Sequence, residues 1–182
     1  MPLPKYIALC GLPTSGKSTV QEILRTHHGV YPVDDGWPLR DISVRYLNLS
    51  TQQVCSQEGK KEFVELLDKT WQVREILGEM GNRFEAMFGE HIIPFMVTNT
   101  LVGNGPYSFG SCRKSQGWFY KKLGGVVIEI RRPGIPPSPY AFDQFDAAAV
   151  DHVIDNDGSI EELTGKVEAL VAKLLTPARK AA

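Results

Sequence analysis

The chain has 182 residues, 42% hydrophobic and 23% charged, with a formal net charge of −1. That is the composition of one soluble globular domain, 1–182, and it carries no basic excess of the kind that marks nucleic-acid or anionic-membrane binding. Three cysteines, Cys10, Cys55 and Cys112, are widely spaced and lack a CxxC pair, which excludes a disulfide framework and a zinc site and predicts a reducing, cytoplasmic setting.

Before the first glycine, the start "MPLPKYIALC" holds too few apolar residues for a signal peptide or a membrane span. Its "KYIALC", 5–10, reads as a short buried parallel strand, and Lys17 to His27 reads as a helix with Val20, Ile23 and Leu24 on one stripe. "GVYPVDD" predicts a second short strand ending on Asp34 and Asp35, and Pro32 restricts it to a sheet edge or a strand start. Leu39, Ile42, Tyr46 and Leu49 have helical spacing. The polar run 50–62 reads as a loop. A long helical phase is then expected from Phe63 through Met87, interrupted by Gly78 and Gly81, followed by a helix starting near Pro94.

"PYSF" is a brief strand candidate, and Val126 to Ile130, mostly β-branched and bounded by Gly and Pro, is the clearest strand in the chain. Residues 131–146 hold four prolines and read as a loop. "DHVIDNDGS" predicts a last strand. Ser159 and Glu162 form a capping box for a last helix with Leu163, Val167, Leu170 and Leu174 on one face. Strands alternating with helices imply an α/β three-layer sandwich, a parallel sheet of about five strands with helices on both faces.

Gly11-Leu12-Pro13-Thr14-Ser15-Gly16-Lys17-Ser18 matches G-x-x-x-x-G-K-[ST] in full, between a predicted strand and a predicted helix. In that context glycines let backbone N–H groups turn inward around phosphate oxygens, and the helix N-terminus adds partial positive charge. Gly11, Pro13, Thr14, Ser15, Gly16, Lys17, Ser18 and Thr19 are therefore the candidate contacts to ATP. Lys17 would reach the β and γ phosphates, and the Ser18 hydroxyl would ligate Mg²⁺. No guanine-reading NKxD motif is present. A kinase needs a carboxylate and cations at its acceptor, and Asp34 and Asp35 stand where open α/β sheets place ligands. Trp37 beside them suits either stacking on an acceptor base or core packing. His27 and His28 end the first helix, where imidazolium suits the dipole, and no second cluster makes them metal ligands.

"PLRD" at 38–41 and "VREILGEMG" at 73–81, followed by "IEIRRPG" and "IDNDGSIEEL", resemble, in order, elements of bacteriophage-type deoxynucleoside monophosphate kinases, P-loop nucleotide kinases with an adenylate-kinase-like fold. The resemblance runs from Ile7 to about Leu174. It implies transfer of the ATP γ-phosphoryl group to a deoxynucleoside 5′-monophosphate, with 36–75 as the acceptor-binding region and a short lid within 131–150. Arg40 and Arg74 would grip the acceptor phosphate, and Asp35 or Asp34 would orient the acceptor or the waters of Mg²⁺. Arg131 or Arg132 would approach the transferring group from the lid. Asn156 to Gly158 would border the adenine. The family pattern also expects D-x-R after the third strand. Here Ser111 stands in the place of the aspartate while Arg113 remains, which removes a charge from beside the metal. A kinase of another small molecule and a non-catalytic ATP-binding module stay open as alternatives, as does a homodimer.

Overall fold

Short apolar runs ended by glycine or a polar turn make a parallel sheet here, as they must when helices cover both its faces. The structure is a computed structural model that describes residues 2–140 and 143–176. In chain order its elements are β1 (Tyr6–Cys10), α1 (Lys17–His28), β2 (Tyr31–Val33), α2 (Trp37–Tyr46), α3 (Thr51–Cys55), β3 (Phe63–Leu66), β4 (Lys69–Gln72) and α4 (Val73–Phe88). There follow α5 (Ile92–Thr98), β5 (Tyr107–Phe109), α6 (Gln116–Lys122), β6 (Val126–Arg131), β7 (His152–Asp155) and α7 (Ile160–Leu175). They group into two compact units: the chain up to Asp34 together with the chain from Val102 on, and Asp35–Leu101. The expected acceptor region lies in the second. The expected lid lies in the first, with residues 141 and 142 outside the described ones.

The first unit holds a five-stranded sheet in the order β2-β5-β1-β6-β7, every neighbouring pair parallel. This is the expected three-layer α/β sandwich. Ile7 and Leu9 of β1, Ile128 and Ile130 of β6 and Ile154 of β7 share one face and pack on Val20, Ile23 and Leu24 of α1 and Leu163, Val167 and Val171 of α7. His27 and His28 at the end of α1 lie 2.8 and 3.0 Å from the Glu168 carboxylate of α7. Those imidazoles hold the Glu168 carboxyl below the usual range. On the other face α6 covers Val127 and Phe109. Phe109 is fully buried, with its ring centroid 4.5 Å from that of Tyr120. β2 is an edge strand, as Pro32 requires. β1 lies between β5 and β6; the connection from β1 to β2 runs to one side of it and the connection from β5 to β6 crosses to the other, which makes its carboxyl end a topological switch point.

The second unit differs from expectation over 50–72. The predicted loop contains α3 and a 3₁₀ turn at Gly59–Lys61. α3 starts on a reciprocal capping box: Gln53 N donates to Ser50 Oγ at 3.1 Å, and Ser50 N donates to Gln53 Oε1 at 2.8 Å. The predicted helix start at Phe63 is instead an antiparallel hairpin, β3 with β4, turning through Leu67 and Asp68. Its period is two. Val64, Leu66 and Trp71 pack on the small core of Leu49, Val54, Val73 and Ile76, while Phe63 and Leu67 face solvent. α4 begins only at Val73, where the Glu75 carboxylate accepts from Gln72 N at 3.2 Å. Gly81 lies where α2 comes close, and a Cβ there would meet Leu39 Cδ1 at 3.3 Å.

Phe109→Ala removes a fully buried ring from the middle of the sheet. Urea unfolding should show a loss of about 3–5 kcal/mol. A loss below about 1 kcal/mol would contradict the packing on Tyr120.

Candidate phosphate-binding site

At the carboxyl end of β1 the backbone must turn sharply, and two glycines make the turn possible. Gly11 has φ +133°, and a Cβ on it would run into the Ile130 carbonyl oxygen of β6. Gly16 has φ +107°, and a Cβ on it would strike the Asn156 side-chain amide. Both conformations are ones that L side chains rarely adopt. Between them Thr14 also has positive φ, +65°, and Ser15 N donates to Leu12 O at 3.2 Å. Val20 N then donates to Gly16 O at 3.0 Å and starts α1. The first turn of α1 carries no acidic side chain, so nothing on the helix neutralises its positive N-terminal end.

The Lys17 ammonium bends back over the loop and donates to the carbonyls of Gly11 and Leu12, both at 2.8 Å. Ser15 is 1% exposed, and its hydroxyl has no hydrogen-bond partner among the described residues. A buried hydroxyl left unpaired is costly. A phosphate oxygen in the loop is the kind of group that satisfies it, so the residues present fit a polyphosphate. Ser18 is exposed and Thr19 half-buried on the first turn of α1, while Pro13 and Thr14 form the outer bend.

Asn156 follows β7 and is drawn into this loop. Its side-chain amide donates to Ser15 O at 2.8 Å, and its backbone N donates to Arg131 O at 2.7 Å. Gly158 packs beneath the α7 cap, where a Cβ would collide with the Glu162 carboxylate. Of the expected adenine-border pair, then, the Asn156 amide contacts the phosphate loop and Gly158 serves the helix start.

Beside β1 on the other side, Gln21 of α1 donates to Ser108 O of β5 at 2.9 Å. The chain then passes through Ser111 and returns to β1, where Cys112 N donates to Leu9 O at 3.1 Å. Ser111 is half-buried next to the end of β1, and Arg113 is half-buried two residues on. On β6, Glu129 is paired in register with Cys10 and accepts from Arg131 Nε and Nη2 at 3.1 and 3.0 Å. The sequence reading did not single out Glu129. The signal was there, since residues two apart in a strand share a face and E-x-R places an acid beside a base. Arg131 is committed to this fork, whereas Arg132 is exposed and makes no hydrogen bond or ion pair with the described residues.

The second part of the expected lid is fastened down. Ser138 Oγ donates to the buried Asp143 at 2.6 Å, Lys114 N donates to Gln144 O at 2.6 Å, and Asp146 N donates to Lys114 O at 2.8 Å. Trp118 Nε1 also donates to Asp146, at 2.8 Å.

The acceptor candidates divide between the units. Asp34 closes the segment after β2, exposed, in the first unit. In the second, Asp35 is buried, Trp37 begins α2 at 43% exposure, and Arg40 is half-buried one turn later. Arg74 is half-buried in the first turn of α4. Among the described residues there is no group of three His, Cys, Asp or Glu side chains able to hold a metal ion, and no helix is long and apolar enough to cross a membrane.

No protein-family model matches the sequence, and no curated protein does. Among solved structures the chain is similar to a dephospho-CoA kinase from Campylobacter jejuni at 16% identity and TM-score 0.47, over 93% of this chain and 96% of that one. It is similar to a gluconokinase from Sinorhizobium meliloti 1021 at 15% identity and TM-score 0.46, over 96% and 95%. It is also similar to a shikimate kinase from Aquifex aeolicus at 14% identity and TM-score 0.49, over 94% and 99%.

Burial, chiefly, and the neighbouring Glu129 charge push the Cys10 thiol up to about 12, against a smaller opposing pull from the Lys17 ammonium. Cys10 and Cys112 are buried and Cys55 is exposed. Reaction of the native protein with a thiol reagent at pH 8 should therefore modify Cys55 quickly, and the other two only after denaturation. Rapid labelling of Cys10 in the folded protein would contradict its placement beneath the loop.

Proposed function

We propose that this chain is a nucleotide kinase that transfers the γ-phosphoryl group of ATP to a deoxynucleoside 5′-monophosphate. The observation that carries the triphosphate half is the loop from Gly11 to Ser18. It is bent by positive-φ glycines, roofed by Lys17, and holds a buried Ser15 hydroxyl with no hydrogen-bond partner among the described residues, at a helix N-terminus whose first turn carries no acidic side chain. Lys17 exchanges its two carbonyl partners for β and γ phosphate oxygens, giving shorter, charge-assisted hydrogen bonds. Ser18 and Asp34 are the residues that would hold Mg²⁺. When bound, Mg²⁺ supplies neutralisation of the phosphate charge.

The acceptor half rests on the sequence pattern. Arg40 and Arg74, in early turns of α2 and α4, present planar guanidinium forks suited to a phosphate monoester, and Trp37 offers a partly exposed ring to a base. Asp35 orients the attacking phosphate oxygen of the acceptor, while Arg113 and Arg132 meet the charge on the transferring group. The turn from Asn156 to Gly158 borders the adenine. Catalysis in this reading is positioning and charge neutralisation rather than covalent chemistry.

Ser111 favours one second reading, a nucleotide-binding module that does not catalyse transfer, because a hydroxyl replaces the carboxylate expected beside the metal. Incubation with ATP, Mg²⁺ and a panel of nucleoside monophosphates, nucleosides, sugar acids and coenzyme precursors, read by ADP release, separates the readings. The kinase reading expects turnover with a deoxynucleoside monophosphate. Turnover with a non-nucleotide alone replaces the acceptor, and ATP binding with no turnover on any acceptor supports the module. Lys17→Ala should cut kcat/KM by roughly a thousandfold with the melting temperature unchanged. Undiminished turnover in that variant would reject the assignment.

A further inference from the structure

The turn between β7 and α7 is fixed from several directions. Asn156 N extends the β6–β7 ladder one residue past the Arg131–Asp155 pair by donating to Arg131 O at 2.7 Å. Lys166 of α7 donates to Asp155 O at 2.7 Å and is ion-paired with Asp157. Ser159 and Glu162 close the reciprocal box that begins α7, at 3.3 and 2.8 Å. What this bracing holds in place is the Asn156 side chain, whose amide reaches 141 residues back along the chain to donate to Ser15 O.

We infer that Asn156 is a positioning residue for the phosphate loop, setting the Ser15–Gly16 peptide so that the Gly16 N–H faces the bound polyphosphate. The inference rests on the nucleotide-binding reading above. Its physical basis is the trans peptide bond: C=O and N–H point to opposite sides of one rigid plane. A donor that draws the Ser15 oxygen outward turns the Gly16 N–H the other way, into the loop. Without that donor the plane can rotate about glycine at little steric cost, because Gly16 has no Cβ to resist it. The same missing Cβ admits the Asn156 amide, since a methyl group at Gly16 would occupy its place. Gly16 thus serves two needs, the +107° φ and the approach of Asn156.

Asn156→Asp tests this because the replacement keeps the shape and makes the donor depend on pH. The ionised carboxylate opposes both the Ser15 carbonyl and the incoming phosphates. The protonated acid donates again. An aspartate held against these groups titrates above its ordinary value of about 3.9. Calorimetry with ATP and Mg²⁺ should find the variant at least about tenfold weaker than wild type at pH 8. The variant-to-wild-type ratio should then close towards one as the pH falls to about 5. Asn156→Ala should be similarly weaker at both pH values, with no recovery, and it carries the test if the aspartate variant does not fold. In nucleotide-free protein, hydrogen exchange across the loop peptide should be faster in both variants. Equal affinity of variants and wild type overturns the inference. So does a loss that is independent of pH in Asn156→Asp and accompanied by a lowered melting temperature, which marks a merely structural residue. Wild type that binds no ATP while loop exchange still responds to Asn156 rejects the nucleotide reading and leaves the brace as a property of the loop alone.

Discussion

Two close approaches at glycines, Gly11 against the Ile130 carbonyl and Gly16 against the Asn156 side-chain amide, set the Gly11–Ser18 loop against the sheet. Neither tolerates a Cβ. They connect three pieces of chain far apart in sequence: the end of β1, the end of β6 and the turn after β7. The parallel register that pairs Cys10 with Glu129 sets the first approach, and the pairing of Arg131 with Asp155 sets the second. The geometry of the Gly11–Ser18 loop is therefore a consequence of strand order. With β1 between β5 and β6, its carboxyl end has neighbours on both sides that can brace a loop.

The charges around this loop are arranged so that most cancel locally. Glu129 and Arg131 close a bidentate fork on their own strand, and Asp157 pairs with Lys166. Lys17 rests on two loop carbonyls, partners that a phosphate oxygen, being charged, can outcompete. The buried Cys10 thiol remains neutral beneath them, so it adds no negative charge under the loop. The loop itself presents the N-terminus of α1 and the Lys17 ammonium.

The parts of this architecture that depend on local chemistry were legible in the sequence. The glycine spacing of 11–18 marks the turn after β1, Pro32 places β2 at an edge, and the Ser159–Glu162 box marks the start of α7. The segment 50–72 misleads a sequence reading because Phe63, Leu66 and Leu67 suit a helical stripe. The packing instead selects Val64 and Leu66, which alternate. Ser50-x-x-Gln53 was a legible capping box inside what reads as a loop. The amide of Asn156 belongs to a different class. Its role comes from a contact across more than a hundred residues of chain, which no local window contains.

The two units differ in how much apolar surface they bury, and this bears on where each half of the proposed chemistry resides. Among the described residues the sheet unit packs thirteen buried residues into one continuous cluster, whereas in Asp35–Leu101 a cluster of four is extended by half-buried neighbours, with Ile93 and Val97 buried apart from it. Local stability follows such contacts, and the smaller unit has fewer of them in its core. Its elements compensate with local devices: the Ser50–Gln53 box, the Glu75 cap on α4, and a glycine that lets α2 close on that helix. A phosphate loop needs rigid amides, because a donor out of place by an ångström is a donor lost. An acceptor region must take in and release its substrate on every turnover and has less use for rigidity. The fold assigns the loop to the larger core, and the arginines proposed for the acceptor to the smaller one.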